Sequence, residues 1–183
     1  MNSSFILQSM RLYLRAIQIE DAEEVFNYKS NKESNKFQGF IPTSIAEVES
    51  FIKHKTAREI NIESSWFQFV IVHQQTHKII GDVGVHFLEG GNNQVEFGIT
   101  IHSDYQHNGY GKEAVKTIFS YLFKDLKKHR IIASLDPKNL SSIKLMESVK
   151  MRKEAHFKKS LLINNDWVDD VVYAILQEEY EQN

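Results

Sequence analysis

A mixed α/β fold of the α+β kind, with a mostly antiparallel central sheet flanked by about four helices, is what the sequence predicts. Three observations carry that expectation. Three apolar runs with strand character, Trp66–Val72, Lys78–Phe87 and Gln94–Ile101, follow one another across the short polar turns QQTH and LEGGNN, which read as hairpins. From Gly111 to about Leu126 the period changes, and Ala114, Val115, Ile118, Phe119, Leu122 and Phe123 form one broad helical face. Two further strands, Lys153–Ile163 and Trp167–Leu176, flank the turn Asn164-Asn165-Asp166.

The remaining elements follow from local pattern. Met10–Ile17 alternates Leu12, Leu14 and Ala16 against Arg11, Tyr13 and Arg15, a strand period of two. Ile19–Lys29 places Ala22, Val25 and Phe26 at helical spacing, with acids in the first turn where the helix dipole favours them. Ser44 and Glu47 make an S-x-x-E capping box, so a second helix begins there, with Val48, Phe51, Ile52 and Lys55 facing inward. Arg130–Leu135 reads as a short buried strand ended by Asp136-Pro137. Asn139–Val149 reads as a helix with Ile143, Leu145, Met146 and Val149 inward. The order is β-α-α-β-β-β-α-β-α-β-β, taken as a single domain over residues 1–183 with no internal repeat or linker.

Composition narrows the functions. With 42% hydrophobic and 25% charged residues the chain can build a globular core and is not a disordered segment. A formal net charge of -2 offers no general attraction to nucleic acid or acidic membranes. The lack of cysteine excludes disulfides, thiolate metal sites and a cysteine nucleophile. The histidines show no metal-ligand spacing, so no metal site is expected. No apolar run reaches the length of a membrane span, and MNSSFILQSMR lacks a signal-peptide pattern; the cytoplasm is the expected location.

Ser103–Val115, SDYQHNGYGKEAV, carries the chemistry. A glycine-rich turn that opens a helix is suited to phosphate, and three classes of protein use similar letters. A nucleoside-triphosphatase loop fails here: its first glycine falls on Gln106, and its metal-binding hydroxyl falls on Glu113. A dinucleotide fingerprint finds Gly109, Gly111 and Ala114 in place, with Asp136 further on. That motif follows a buried parallel strand, which should be almost continuously apolar. The strand here alternates Val95, Phe97, Ile99 and Ile101 against Glu96, Gly98 and Thr100, and His102–Asn108 separates it from the first glycine. The third pattern, [QR]-x-x-G-x-[GA], fits Gln106-His107-Asn108-Gly109-Tyr110-Gly111 between an antiparallel strand and an amphipathic helix.

On these residues the chain resembles the GNAT superfamily of acyl-CoA-dependent N-acetyltransferases. The resemblance runs from MRLYLRAI and IEDAEEVF through the loop to DPKNLSSIKLMESVKM and NNDWVDDVVYAIL. It is most like the branch that acetylates ribosomal-protein N-termini. It implies a GNAT-like sheet splayed at the cofactor site beside Gln94–Ile101, acetyl-CoA as cosubstrate, and an amine acceptor, either a protein N-terminus or a small molecule. Backbone groups around Ile99, Thr100 and Ile101 would bond the pantetheine arm as an added strand does. Gln106, His107, Asn108, Gly109, Tyr110, Gly111 and Lys112 would cradle the diphosphate, chiefly through amides of Gly109, Gly111 and Lys112 at the helix start. Tyr110 has packing on the helix as a second role, and Lys112 has plain solvation.

The resemblance also assigns Asn139 to the pantetheine arm and Ser142 to the thioester sulfur. Helix capping is open to both. Glu96, on the other face from Val95 and Phe97, is either the base that takes the amine proton or an ordinary solvent-facing strand residue. Two departures from the family stand out. Met146 occupies the position of a tyrosine acid, which leaves Ser142 or water as the acid and opens a second reading, a non-catalytic acyl-CoA-binding or sensing module. Lys150 stands where relatives have a glycine helix stop. Phe37, Phe40, Trp66, Trp167 and Tyr173 are candidates for the acceptor wall or for the core. Glu20, Asp21, Glu23 and Glu24 are candidates for cation attraction or for plain dipole compensation. An exposed edge strand in the last hairpin would suit a homodimer.

Overall fold

The computed structural model describes residues 5–90, 93–163 and 165–182. Its strands are β1 (Ile6–Gln8), β2 (Leu12–Ala16), β3 (Ser65–His73), β4 (Ile79–Phe87), β5 (Gln94–Ile101), β6 (Arg130–Leu135), β7 (Arg152–Ile163) and β8 (Asp166–Leu176). Its helices are α1 (Ala22–Lys29), α2 (Ile45–Lys55), α3 (Tyr110–Ser120), α4 (Leu140–Ser148) and α5 (Gln177–Glu181). The strands form one sheet in the order β1-β2-β3-β4-β5-β6-β8-β7. β5 and β6 are parallel, and the other described neighbours are antiparallel. The order expected from the sequence is present, with β1 and α5 added at the ends. Both are too short to show a period. Gly91 and Asn92 of the LEGGNN turn, and Asn164 of the last turn, lie outside the described residues.

Each face of the sheet has its own cover. Leu12 and Leu14 of β2, Phe67, Phe69 and Ile71 of β3, and Val95 and Phe97 of β5 are buried against α3. All six residues expected on the inner face of α3 are buried there, and the helix continues into a π-helical turn over Tyr121–Asp125 that keeps Leu122 and Phe123 in the core. On the opposite face α1 and α2 cover Val70, Val72 and Ile79 with Ala22, Val25, Tyr28 and Val48. Of the inner residues expected for α2, Val48 is buried, Phe51 and Ile52 are half-buried and Lys55 is exposed. The α2 cap is also split. Ser44 Oγ accepts from Glu47 N at 3.2 Å, whereas the Glu47 carboxylate returns to Thr43 N and Oγ1, one residue earlier than the box requires.

α4 ends as the sequence suggests. Lys150 takes φ +68°, Lys150 N donates to Glu147 O at 3.0 Å, and Met151 N donates to Met146 O at 3.1 Å. This is the paired bond set of a Schellman stop, closed by a side chain that resists the left-handed region. Lys150→Gly is therefore expected to stabilise the fold by about 1 kcal/mol. Chemical denaturation should show a higher midpoint with an unchanged slope.

Candidate active site

The parallel ladder between β5 and β6 is short: Gln94 pairs Arg130, Val95 pairs Ile131 and Glu96 pairs Ile132. Beyond Glu96 the strands diverge and the sheet opens into a V. The register of β5 on β4 says which groups face it. His102 N donates to Ile80 O, and Gln94 O accepts from Leu88 N. A strand residue turns both backbone groups to one side, and successive residues alternate. Even-numbered residues of β5 thus bond β4, and Phe97, Ile99 and Ile101 turn N–H and C=O into the V. Ile99 N–H and C=O and the Ile101 N–H therefore line the V, while Ile101 O accepts from Gln106 Nε2.

At the end of β5 the chain makes a short turn through Ser103–Tyr105 and enters α3 at Gly109, with φ +80° and the left-handed geometry that glycine tolerates. The first ladder bond is Glu113 N to Gly109 O at 3.1 Å, so the amides of Tyr110, Gly111 and Lys112 have no acceptor one turn back. A cleft of about 390 Å³ lies in front of them. Its walls include Ile99, Thr100, Ile101, Gln106, His107, Gly109, Tyr110, Gly111, Lys112, Asn139 and Ser142. Of the residues expected on the cofactor side, Asn108 alone is not on this wall. A Cβ at Gly111 would meet Leu145 at 3.5 Å and Ile101 at 3.6 Å, which is ordinary contact. The packing of the chain itself does not demand glycine there. The donor set, three helix-start amides beside an exposed lysine, suits a diphosphate.

Some expected residues contribute differently. Gln106 Nε2 donates to Ile101 O at 2.9 Å and braces the loop against β5. Asn108 O accepts from Arg11 Nη1 at 3.1 Å. The Tyr110 ring lies under the Arg11 guanidinium at 4.3 Å, and its hydroxyl is 3.2 Å from His73 Nε2, so it packs on the body of the fold. Thr100 is buried, with its hydroxyl 3.4 Å from Lys29 Nζ on the other face. Asn139 Oδ1 accepts from Ser142 N at 3.2 Å and caps α4.

A smaller cleft of about 80 Å³ continues the V inward between Phe97, Gly98, Ile99, Ala133 and Met146. Phe37, Gln38, Asn139 and Ser142 border both clefts. Ser142 is half-buried, and Met146 is 1% exposed at the inner end. On the opposite face of β5 a Cβ at Gly98 would meet nothing within 4 Å. Glu96 is half-buried beside it. Burial pushes the Glu96 carboxyl above its ordinary value and Asp170 adds to this, while His86 draws it back. Asp170 is 8% exposed and accepts from Ser134 Oγ at 2.7 Å.

The aromatic and acidic candidates divide. Phe37 borders the clefts, and Trp66, 38% exposed, stacks on His86. Phe40 stacks on Phe51 of α2, and Tyr173 is in the core. Trp167 is exposed on β8. Asp21 is bound by Arg15 through two 2.7 Å contacts, and Glu24 accepts from Ile79 N. These two acids tie α1 to the sheet.

Sequence reasoning missed two features. Glu113, in the first turn of α3, accepts from Arg11 N and Nε, each at 2.7 Å, and from Ser9 Oγ at 2.8 Å. This latch fixes the helix start to the β1–β2 turn. The segment Glu33–Gln38 also walls the larger cleft, held by the buried Asn35, whose Nδ2 donates to Tyr28 O at 2.7 Å. Neither leaves a local signal, since one spans about a hundred positions and the other has no period.

A sheet opened at a parallel pair, with a strand edge leading to bare helix-start amides, is the arrangement implied by the family that the sequence resembles. The chain matches the model of the acetyltransferase (GNAT) domain over residues 11–152 and belongs to the GNAT family. It is 31% identical to an uncharacterized N-acetyltransferase of Bacillus subtilis, YnaD, over 95% of this chain and 98% of that one. It is 28% identical to the ribosomal protein uS5-alanine N-acetyltransferase of Escherichia coli over 64% of this chain and 61% of that one. A GNAT-family acetyltransferase of Bacillus anthracis has the same fold, with a TM-score of 0.84, 28% identity, and coverage of 96% of this chain and 100% of that one.

Proposed function

We propose that residues 1–183 act as one catalytic unit that transfers an acetyl group from acetyl-CoA to a primary amine, a protein N-terminus or a small-molecule amine. The observation that carries this reading is the open edge of β5, with the Ile99 backbone groups and the Ile101 N–H leading to the Gly109–Lys112 amides. The edge suits the amides of a pantetheine arm, and the helix start suits the diphosphate. His107 and Asn108 complete the loop, and Asn139 combines its capping bond with contact to the arm. The cytoplasm is the proposed setting. Among the described residues no helix is long and apolar enough to cross a membrane. Nucleic acid and membrane are not proposed as partners, and the exposed edge of β7, beside Phe157 and Leu162, supports a homodimer.

In the reaction the amine attacks the thioester carbonyl directly. Glu96 takes a proton from the amine, and Ser142 donates a hydrogen bond to the departing thiolate, the part a tyrosine would play at Met146. A base works while ionised, so burial of Glu96 moves its contribution to the acid limb of kcat/KM to higher pH. Glu96→Gln is expected to lower kcat/KM by about a hundredfold and to remove the carboxylate's share of the pH dependence, leaving that of the amine. Free thiol released from acetyl-CoA, followed with an amine and peptide panel across pH, tests this. An unchanged rate in the variant would assign the proton to water, and no release from the native chain with any amine would leave only an acyl-CoA-binding module.

A further inference from the structure

Three side chains lie in one row across the sheet on the face that carries Glu96. Trp66 of β3 is directly opposite His86 of β4, and His86 is directly opposite Glu96 of β5. The indole and imidazole planes are stacked, 4.8 Å apart and 8° from parallel, which fixes the imidazole plane. His86 Nδ1 is buried and has no hydrogen-bond partner among the described residues. It lies 3.9 Å from Glu96 Oε2, beyond hydrogen-bond range, yet a shift of about 1 Å would close the gap. An imidazole kept only for packing would not hold a ring nitrogen buried and unpaired, because that costs stability which an apolar side chain of similar size avoids. The unpaired atom is turned toward the proposed base.

We propose that His86 is a positioning residue that relays the proton Glu96 takes from the acceptor amine. The inference rests on the reading of Glu96 as base given above. In this step an N–H bond of the amine breaks and an O–H bond forms on Glu96. That O–H then breaks as the proton passes to the lone pair of His86 Nδ1. The ring, now an imidazolium, holds the proton until product leaves and then returns it from Nδ1 through Glu96 to water in the emptied site. Nε2–H is unchanged throughout, so tautomer, charge and atoms are all restored over the turnover. The ionisable groups acting on Glu96 are His86 from β4 and Asp170 from β8; its neighbour on β6 is Ile132, which does not titrate.

The test uses the full chain with two readouts. In nitrogen-15 histidine spectra, Glu96→Gln should move the His86 Nδ1 resonance and leave those of the other histidines in place, since the group facing that nitrogen has changed. In thiol-release kinetics, His86→Gln should leave the Kd for acetyl-CoA unchanged and lower kcat roughly tenfold. It should also move the acid limb to higher pH, because Glu96 loses its one stabilising neighbour and keeps burial and Asp170. An unmoved His86 Nδ1 resonance, or a His86→Gln profile that overlays the native one, overturns the relay. Should His86→Gln fail to fold, the spectra of Glu96→Gln decide alone. A native chain that releases no thiol overturns the proposed function itself, and is told apart because it needs no variant.

Discussion

Gly111→Val is expected to weaken acetyl-CoA binding about a thousandfold while leaving the fold intact. A Cβ there meets Leu145 and Ile101 at ordinary distances, so the helix start accepts it. The added methyl groups are expected to crowd the amides proposed to face the diphosphate. Hydrogen bonds to a charged group contribute about 1.5–3 kcal/mol each, and displacing two of them gives the expected loss. Calorimetric titration with acetyl-CoA measures it, and thermal unfolding checks the fold. Equal affinity with an unchanged melting point would move the diphosphate away from Gly111.

Asp82→Ala is expected to be among the most destabilising single changes, at about 3–5 kcal/mol. Asp82 is 3% exposed and satisfies three partners at once: Lys29 Nζ at 3.0 Å, Tyr28 Oη at 2.5 Å and Gln68 Nε2 at 2.7 Å. Burial pushes the Tyr28 hydroxyl well above its ordinary pKa and the adjacent carboxylate reinforces this, so it remains a donor. Without Asp82 the Lys29 amine, 7% exposed, is left in the interior without its carboxylate partner. Because Lys29 also reaches Thr100 of β5, the loss extends to the strand that carries the open edge. Urea unfolding of the variant measures the effect, and a loss below about 1 kcal/mol would show that the network is dispensable.

What was legible in the sequence is what local period and local chemistry encode. The meander β3–β4–β5 shows in its alternation, α3 in its six buried apolar residues, and the α4 cap in Asn139. The glycine loop was legible only with its flanks. Gly109 and Gly111 fit several folds, and the alternating strand before them decided the reading. Residues joined by the sheet across long separations were not legible. The row Trp66, His86 and Glu96 depends on register, and the latch from Arg11 to Glu113 depends on β1 folding back beside α3. Tyr173 had two readings, acceptor wall or core, because its place in a strand pattern admits either face; packing puts it in the core.

The most direct test of the account is a crystal structure of the full chain with acetyl-CoA bound. The account predicts the diphosphate on the amides of Gly109, Gly111 and Lys112, and the pantetheine arm bonded to the backbone of Ile99 and Ile101. It predicts the thioester within reach of both Glu96 and Ser142. A complex in which the diphosphate avoids the start of α3, or the thioester lies away from Glu96 and Ser142, would contradict it.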